Sequence, residues 1–348
     1  MKRLATIILE RIRQHRHFII YVLAYMIALI AVCAWLGTYH MISFDMYEVL
    51  PLTAVLFFAA VLLGRYLNMA LVTRPRPLLS HMRADFKVLF EERFLTGLPI
   101  LLLLPVFMSA FTAFKSLIPV MNPYTWDPAL YRLEELLHGG YQPWELLMPL
   151  LGYPAVTLTI NFIYAAWLFT MFMVVYWQAF SLSNPVLRMQ FFLSFVLCWS
   201  LLGSGMATIF SSAGPCFYER LLGLDAYQGL MQYLQSVDEQ HPVWALSAQD
   251  MLWKLYELHK LALGSGISAL PSMHVSSALL FALVGVRTHW VPGVALSIFF
   301  VFILVGSVHL GWHYAVDGYV AIILTLILWR LAGIWAGRLP LGEGRILD

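Results

Sequence analysis

Long apolar runs separated by short polar segments dominate the chain. Runs of about 20 apolar residues can cross the roughly 30 Å hydrocarbon core of a bilayer as helices. Eight such runs are present, over residues 18–36, 50–72, 97–114, 154–177, 189–210, 271–286, 292–310 and 316–331. The sixth run is short and contains Ser276 and Ser277. The pattern predicts an all-α protein, a polytopic membrane bundle of about eight transmembrane helices.

Composition and charge agree with this prediction and orient it. Of the 348 residues, 61% are hydrophobic and only 11% are charged, whereas a soluble domain has about 25% charged residues. Fifteen of the 21 Lys and Arg residues fall on the side of the predicted termini and five on the other side. Because basic residues favour the cytoplasmic side, we expect cytoplasmic termini and two long extracytoplasmic loops, 115–145 and 211–269. That side is a periplasm or an organelle lumen, and a bacterial inner membrane is the favoured setting.

The segments between the runs suggest a simple organisation. Residues 1–96 are expected to form an N-terminal transmembrane pair with a basic cytoplasmic connector, and residues 97–348 the main membrane domain, which includes both long loops. Apolar spacing in the first long loop predicts a short amphipathic helix, with Arg132, Glu134 and Glu135 on its wet face. The second long loop is a candidate cap over a site. The three cysteines are widely spaced and predict neither a disulfide framework nor a metal pair.

Two polar clusters lie at the ends of apolar runs, where ionisable side chains usually mark function. One begins the sixth run, where Pro271 can start a helix whose free amide groups bind an anion. The other joins the seventh and eighth runs, where His313 and Asp317 are four residues apart and share one helix face. The Asp317 carboxylate can hold one imidazole nitrogen while the other attacks phosphorus and forms a phosphohistidine. His274 is the candidate general acid for the departing alkoxide.

These clusters resemble known signatures. Pro271-Ser272-Met273-His274 is similar to the second motif of the type 2 phosphatidic acid phosphatase (PAP2) superfamily, and Gly311-Trp312-His313-Tyr314-Ala315-Val316-Asp317 is similar to the third. The resemblance implies a six-helix catalytic core, metal-independent chemistry without a cofactor, and three catalytic residues. By it, His313 is the nucleophile, Asp317 orients it, and His274 is the general acid. The two motifs lie in roughly the last third of the chain.

The chain also departs from the conventional phosphatase pattern. Ser307 stands where that pattern has an arginine six residues before the nucleophile, and no first motif with its Lys and Arg-Pro precedes the second. In these respects, and in residues 115–144 and 211–218, the chain resembles the branch of inositol phosphorylceramide synthases and sphingomyelin synthases. That branch passes a phosphorylated headgroup between lipids. The resemblance slightly favours transfer to a lipid alcohol, in sphingolipid metabolism, over hydrolysis of phosphatidic acid or a polyprenyl (pyro)phosphate.

Without those arginines, other groups must stabilise the charge of the phosphoryl group. The candidates are Lys115, Arg220, Lys254, Lys260 and the amide groups beginning at Ser272. Ser307 either contacts phosphate or bonds back to its own helix. His309 either reaches the site or has a structural role.

Other readings of the same residues remain open. The expected partners are a lipid phosphate donor, water or a lipid alcohol as acceptor, and membrane lipids, whereas nucleic acid is not expected. A zinc-dependent membrane hydrolase could use His309, His313, Asp317 and His274 as ligands. A transporter is the third alternative, although the polar residues cluster on one side only. The sequence does not indicate an oligomeric state.

Overall fold

A computed structural model describes residues 2–341 of the chain, with side chains from Thr6 onward. Helices make up 79% of the structure, and no strand occurs in the described residues. The predicted all-α class is therefore confirmed.

The helices follow one another along the chain with short connections. They are α1 (Lys2–Gln14), α2 (Arg16–Leu36), α3 (Val49–Asn68), α4 (Leu78–Leu89), α5 (Leu95–Met121), α6 (Asp127–Leu137), α7 (Pro143–Leu151), α8 (Pro154–Ala165), α9 (Trp167–Ala179), α10 (Pro185–Leu197), α11 (Ala207–Ile209), α12 (Tyr218–Leu222), α13 (Gln228–Asp238), α14 (Trp244–Glu257), α15 (Met273–Thr288), α16 (Trp290–His309) and α17 (Ala315–Gly337). Wider π-helical turns cover Met69–Thr73, Phe90–Phe94 and Cys198–Met206, and 3₁₀ turns cover Tyr39–Met41 and Pro215–Phe217.

Seven helical segments in the described part of the chain are long and apolar enough to cross a membrane. They are Arg16–Leu36, Val49–Thr73, Leu78–Met121, Pro154–Ala179, Pro185–Ile209, Trp290–His309 and Ala315–Gly337. The sixth predicted span is instead α15, which has 16 residues. At 1.5 Å per residue such a helix is about 24 Å long, shorter than the roughly 30 Å hydrocarbon core.

The two long loops contain more helix than the sequence suggested. Helix α5 continues through Met121, so Lys115 lies inside a helix instead of starting a loop. The predicted amphipathic helix is confirmed as α6. Residues 211–269 contain α12, α13 and α14 and are largely helical.

The chain divides into two compact units. The first contains the residues through Ala110, Phe172–Phe192 and the residues from Gly333. Phe58 and Phe94 both pack on Phe180, with ring centroids 4.9 and 6.0 Å from it. In the same unit Arg65 makes two 2.9 Å bonds to Asp85, which explains how an apolar run accommodates an arginine.

The second unit contains Phe111–Met171 and Leu193–Ala332. Helices α15 and α16 are joined at His289, which ends the first helix and whose Nδ1 accepts a hydrogen bond from the Val291 amide. Polar side chains link neighbouring helices, since the hydroxyls of Ser276 in α15 and Thr325 in α17 are 2.7 Å apart. Trp167 Nε1 donates to the Ser277 hydroxyl at 2.9 Å. These contacts hold α15 against α9, α16 and α17.

Candidate active site

The turn between α16 and α17 carries His313 at its centre. Gly311 adopts a φ of +73°, a left-handed conformation that glycine accepts without strain. The His313 amide then donates to the Ser307 carbonyl at 2.9 Å, closing the end of α16. At the start of α17 the Asp317 carboxylate accepts from the Tyr314 amide at 2.9 Å. Asp317 is therefore both a helix cap and a neighbour of His313.

The hydrogen bonds of His313 assign its tautomer. Its Nδ1 lies 3.0 Å from the Ala269 carbonyl oxygen and 3.4 Å from Asp317 Oδ2. A carbonyl oxygen only accepts, so Nδ1 carries the proton and Nε2 holds the lone pair. Burial lowers the pKa of His313 to about 3, the Ala269 bond opposes this, and the charge of Lys115 adds to it. The ring is therefore neutral near pH 7, as a nucleophile must be.

His274 faces this lone pair from the first turn of α15. Its Nδ1 is 3.3 Å from His313 Nε2. Aromatic rings surround it, with ring centroids 4.9 Å away for Tyr164, 4.2 Å for Trp167 and 6.4 Å for Trp312. These rings bury His274 in the resting site, although an aromatic face can also stabilise a cation by its quadrupole.

Ser272 positions His274 by capping α15. Its hydroxyl accepts from the Val275 amide at 3.3 Å, and its own amide donates to the Asp317 carbonyl at 3.2 Å. The helix therefore begins at Met273, and Pro271 precedes the cap instead of starting the helix. Both polar groups of Ser272 have partners inside the protein, and its predicted contact with phosphate remains a prediction.

Two buried carboxyl groups from α6 support the turn, and the sequence reading missed this role for both. Asp127 accepts from the Ala213 and Gly214 amides at 2.9 and 2.8 Å and from the Tyr314 hydroxyl at 2.8 Å. Glu134 accepts from the Val316 amide at 3.1 Å in the first turn of α17. Glu134 is 2% exposed, so its assignment to the wet face of the helix is wrong. The two acids are seven residues apart, about two helical turns, and this spacing could have indicated that they lie on the same face of α6.

Burial raises the pKa of both acids, but the two differ in the donors that oppose it. It raises the pKa of Glu134 to about 8, with the nearby Asp317 carboxyl adding to the effect and the Val316 amide opposing it. Burial also raises the pKa of Asp127, against which the Gly214 and Ala213 amides favour the carboxylate. With N–H and O–H groups donating to both of its oxygens, Asp127 is best satisfied as an anion.

The segment 211–217 connects Asp127 to the nucleophile. The Ser212 carbonyl accepts from the Ala269 amide at 2.9 Å, and the Ser212 hydroxyl accepts from the Leu270 amide at 3.1 Å. Ala269 is the residue whose carbonyl holds His313. Asp127 thus holds the segment 211–217 in place, and this segment in turn holds Ala269, whose carbonyl accepts the proton on His313 Nδ1.

The four predicted phosphate-binding cations lie in different settings. The charge of Lys115 lowers the pKa of His313, and in the described part of the chain none of the other three cations has this effect. Its backbone packs 3.0 Å from the position that a side chain on Gly266 would occupy. Arg220 forms an exposed ion pair with Asp250. The remaining two, Lys254 and Lys260, are exposed.

Ser307 and His309 belong to the packing of α16. The Ser307 hydroxyl donates to the Leu304 carbonyl at 2.7 Å, the back-bonding alternative. His309 Nε2 lies 2.9 Å from the Thr157 hydroxyl in α8, and its Nδ1 has no hydrogen-bond partner among the described residues. The same residues contain no group of three or more His, Cys, Asp or Glu side chains placed to bind a metal ion. The side-chain bonds of Ser307 and His309 do not reach the two facing histidines, and the link of Ser307 to His313 is the backbone hydrogen bond that ends α16.

Comparison with known protein families gives a match over most of the second half of the chain and beyond. A sequence model described as the PAP2 superfamily matches residues 128–331, more than half of the chain. The match includes nearly all of α6 and both facing histidines. No curated protein matches the chain, and no solved structure matches it.

Proposed function

Because the chain belongs to the PAP2 superfamily, whose members are generally phosphatases or phosphotransferases, we propose that it transfers the phosphorylated headgroup of a membrane lipid. His313 is the nucleophile, His274 the general acid and base, and Asp317 the orienting carboxylate. The observation that carries the proposal is the buried pair in which His274 Nδ1 lies 3.3 Å from His313 Nε2 while Ala269 holds His313 Nδ1 at 3.0 Å.

The first half-reaction moves the phosphoryl group to the protein. His313 Nε2 attacks phosphorus, a P–N bond forms, and the P–O bond to the leaving alkoxide breaks. The negative charge of the bound substrate favours the imidazolium form of His274, which gives its proton to the departing oxygen. The Ala269 carbonyl and the Asp317 carboxylate stabilise the positive charge that His313 acquires.

The second half-reaction regenerates both histidines. The hydroxyl of an acceptor attacks phosphorus, and His274 takes its proton while the P–N bond breaks. If the acceptor is a lipid alcohol, the product is a new phospholipid, and if it is water, the product is a free phosphate compound. Transfer is favoured by Ser307, whose hydroxyl bonds back to its helix where a conventional phosphatase has an arginine.

In the resting site the attacking lone pair already has a partner. A phosphorus atom cannot lie between two nitrogens 3.3 Å apart, so substrate must displace the His274 ring before attack. Binding of the phosphoryl group therefore also breaks the contact with His274 and exposes the lone pair of His313 Nε2. This arrangement protects the nucleophile until a substrate arrives.

Lys115 is the cation best placed to stabilise the phosphoryl group, because its charge reaches His313. The hydroxyl of Tyr164, which stacks on His274, is buried and has no hydrogen-bond partner among the described residues. We assign it as a neutral donor to a phosphoryl oxygen. Together the ammonium group and the hydroxyl replace part of the charge that the arginines provide in the conventional pattern.

The topology that goes with this function is also a proposal. The basic residues favour cytoplasmic termini, which put the turn 310–314 and the start of α15 on the extracytoplasmic side. A lipid would reach such a site sideways from the bilayer.

The first test is turnover by the purified chain in EDTA, with lipid phosphates and phosphodiesters supplied with and without a lipid alcohol and the products identified by mass spectrometry. His313→Ala and His274→Ala are expected to lose activity by at least about 10³-fold, whereas His309→Gln keeps most of it. Turnover by His313→Ala at the wild-type rate would overturn the assignment. A new lipid carrying the donor headgroup indicates a synthase, and free phosphate or a soluble headgroup indicates a hydrolase.

A further inference from the structure

A second cluster of charged and polar groups lies in the first compact unit and shares no residue with the histidine site. It surrounds a cavity of about 450 Å³ whose lining includes Arg11, Gln14, His15, Thr96, Ser181 and Arg188. A volume of this size suits a small ligand or a lipid headgroup.

Arg188 is the centre of this cluster. It is 5% exposed, and its guanidinium donates to the Gln178 carbonyl at 3.0 Å, to His15 Nε2 at 2.8 Å and to the Thr96 carbonyl at 3.0 Å. Within the described chain these partners are all neutral. An arginine carries further N–H groups beyond these three, and a buried charge without a counter-charge is costly. The environment therefore favours an anion.

His15 is held as a neutral acceptor for that guanidinium. Its Nδ1 donates to the Arg11 carbonyl at 2.7 Å, which leaves Nε2 to accept from Arg188. Burial, helped by the charge of Arg188, lowers the pKa of His15 to about 3. Since His15 is neutral near pH 7, it adds no charge of its own and orients the guanidinium instead.

Arg11 supplies the second cation. Its terminal nitrogens bond Gln14 at 3.1 Å and Glu92 at 3.2 Å, while its Nε is buried with no hydrogen-bond partner among the described residues. Glu92 neutralises Arg11, and the exposed Glu10 also borders the cavity. The cavity thus contains one compensated and one uncompensated guanidinium, an arrangement suited to a single anionic group.

The geometry points to a binding site for a phosphate group, formed by Arg188 and Arg11 at the ends of α10 and α1. The group belongs either to free inorganic phosphate or to the headgroup of an anionic phospholipid. Both arginines lie next to starts of membrane-crossing helices, α2 at Arg16 and α10 at Pro185, which is the depth at which lipid phosphates are found. By the proposed topology this is the cytoplasmic side.

Hydrogen–deuterium exchange with mass spectrometry tests this site, because it reports each ligand at its own location. The full chain is used as the His313→Ala variant, so that a lipid phosphate is not consumed, and intact lipid is checked at the end. One arm contains inorganic phosphate and the other short-chain phosphatidic acid. We expect protection of the peptide around Ser181–Arg188, which combines the non-helical residues 181–184 with the first turn of α10 at the edge of the cavity. Binding at the histidine site would protect other peptides.

Arg11→Gln is the decisive variant, and Arg13→Gln is its matched control. Both remove one positive charge from α1, but Arg13 is exposed and does not line the cavity. Loss of a charged hydrogen bond should raise the ligand midpoint about tenfold or more in Arg11→Gln, with less than about twofold change in Arg13→Gln. Protection by inorganic phosphate identifies a free-anion site, and protection by phosphatidic acid alone identifies a lipid headgroup site. No protection by either ligand, or equal midpoints in the two variants, would overturn the proposal.

Discussion

Replacing Asp127 by asparagine tests whether α6 positions the nucleophile. The substitution keeps the size of the side chain and removes its charge. One carboxylate oxygen becomes an NH₂ group. In place of Oδ2 it would face the Ala213 amide, and in place of Oδ1 it would face the Gly214 amide and the Tyr314 hydroxyl, and all three groups are donors in the present arrangement. At least one of these bonds is lost, and a buried donor is left facing another donor.

The magnitude follows from the bonds involved. Hydrogen bonds to a charged group contribute about 1.5–3 kcal/mol each, and one or two are lost, so we expect Asp127→Asn to reduce the free energy of unfolding by about 2–5 kcal/mol. The Ser212 segment would shift, and with it the Ala269 carbonyl that holds His313. A displacement of about 1 Å at a reacting group costs roughly 10²-fold in rate. We therefore expect kcat to fall about 10²-fold with little change in KM.

The assay is steady-state turnover well below the Tm of the variant, with the Tm measured in the same detergent. Asp225→Asn is the control, since Asp225 is exposed and the chemical change is the same. Tyr314→Phe removes only the hydroxyl bonded to Asp127, and a double-mutant cycle should show coupling between the two residues. Wild-type kcat in Asp127→Asn, or a fall in apparent kcat that only follows the unfolded fraction, would refute the positioning role.

Three further measurements follow from the site. Lys115→Gln should lower kcat/KM about tenfold or more, whereas the same change at the exposed Lys254 should leave it within about twofold. Because burial lowers the pKa of His313 to about 3, protonation of His313 should cause no loss of kcat/KM near pH 6.5, the ordinary histidine value. A loss of kcat/KM near pH 6.5 that persists when the other titratable residues of the site are replaced would contradict the assignment of a neutral His313. Burial raises the pKa of Glu134 from 4.5 to about 8, so the folded state binds the extra proton and stability should fall as pH rises through this window. Glu134→Gln should flatten the dependence of Tm on pH between about 4.5 and 8, and an unchanged slope would exclude Glu134 as its source.

Hydropathy predicted the membrane helices well because a bilayer demands long apolar segments with satisfied backbones. It was least accurate at α15, where Ser276 and Ser277 bond to Thr325 and Trp167 on neighbouring helices. Polar residues of this kind weaken the apolar signal although they are fully paired inside the protein. The extent of helix in residues 211–269 was also missed, since aromatic and amide side chains there give no simple period.

The chemistry of the site was predictable only in part. Local spacing suggested that Asp317 holds His313, and the structure brings the two within 3.4 Å. The nearer acceptor is the carbonyl of Ala269, and a backbone oxygen leaves no trace in a sequence. Glu134 was misread because a charged residue on an amphipathic helix usually faces water, whereas here a helix N-terminus covers it.

Although both signature motifs lie near the end of the chain, α6 precedes them by more than a hundred positions. It contributes the two carboxyl groups that hold Tyr314 and Val316 in place. The motif-bearing segment is consequently not a portable module. A chimera with residues 270–331 on a foreign membrane scaffold would contain both histidines without the two acids that hold the turn 310–314 in place. When segments are exchanged between relatives, we expect activity to be preserved only if α6 and residues 270–331 come from the same protein.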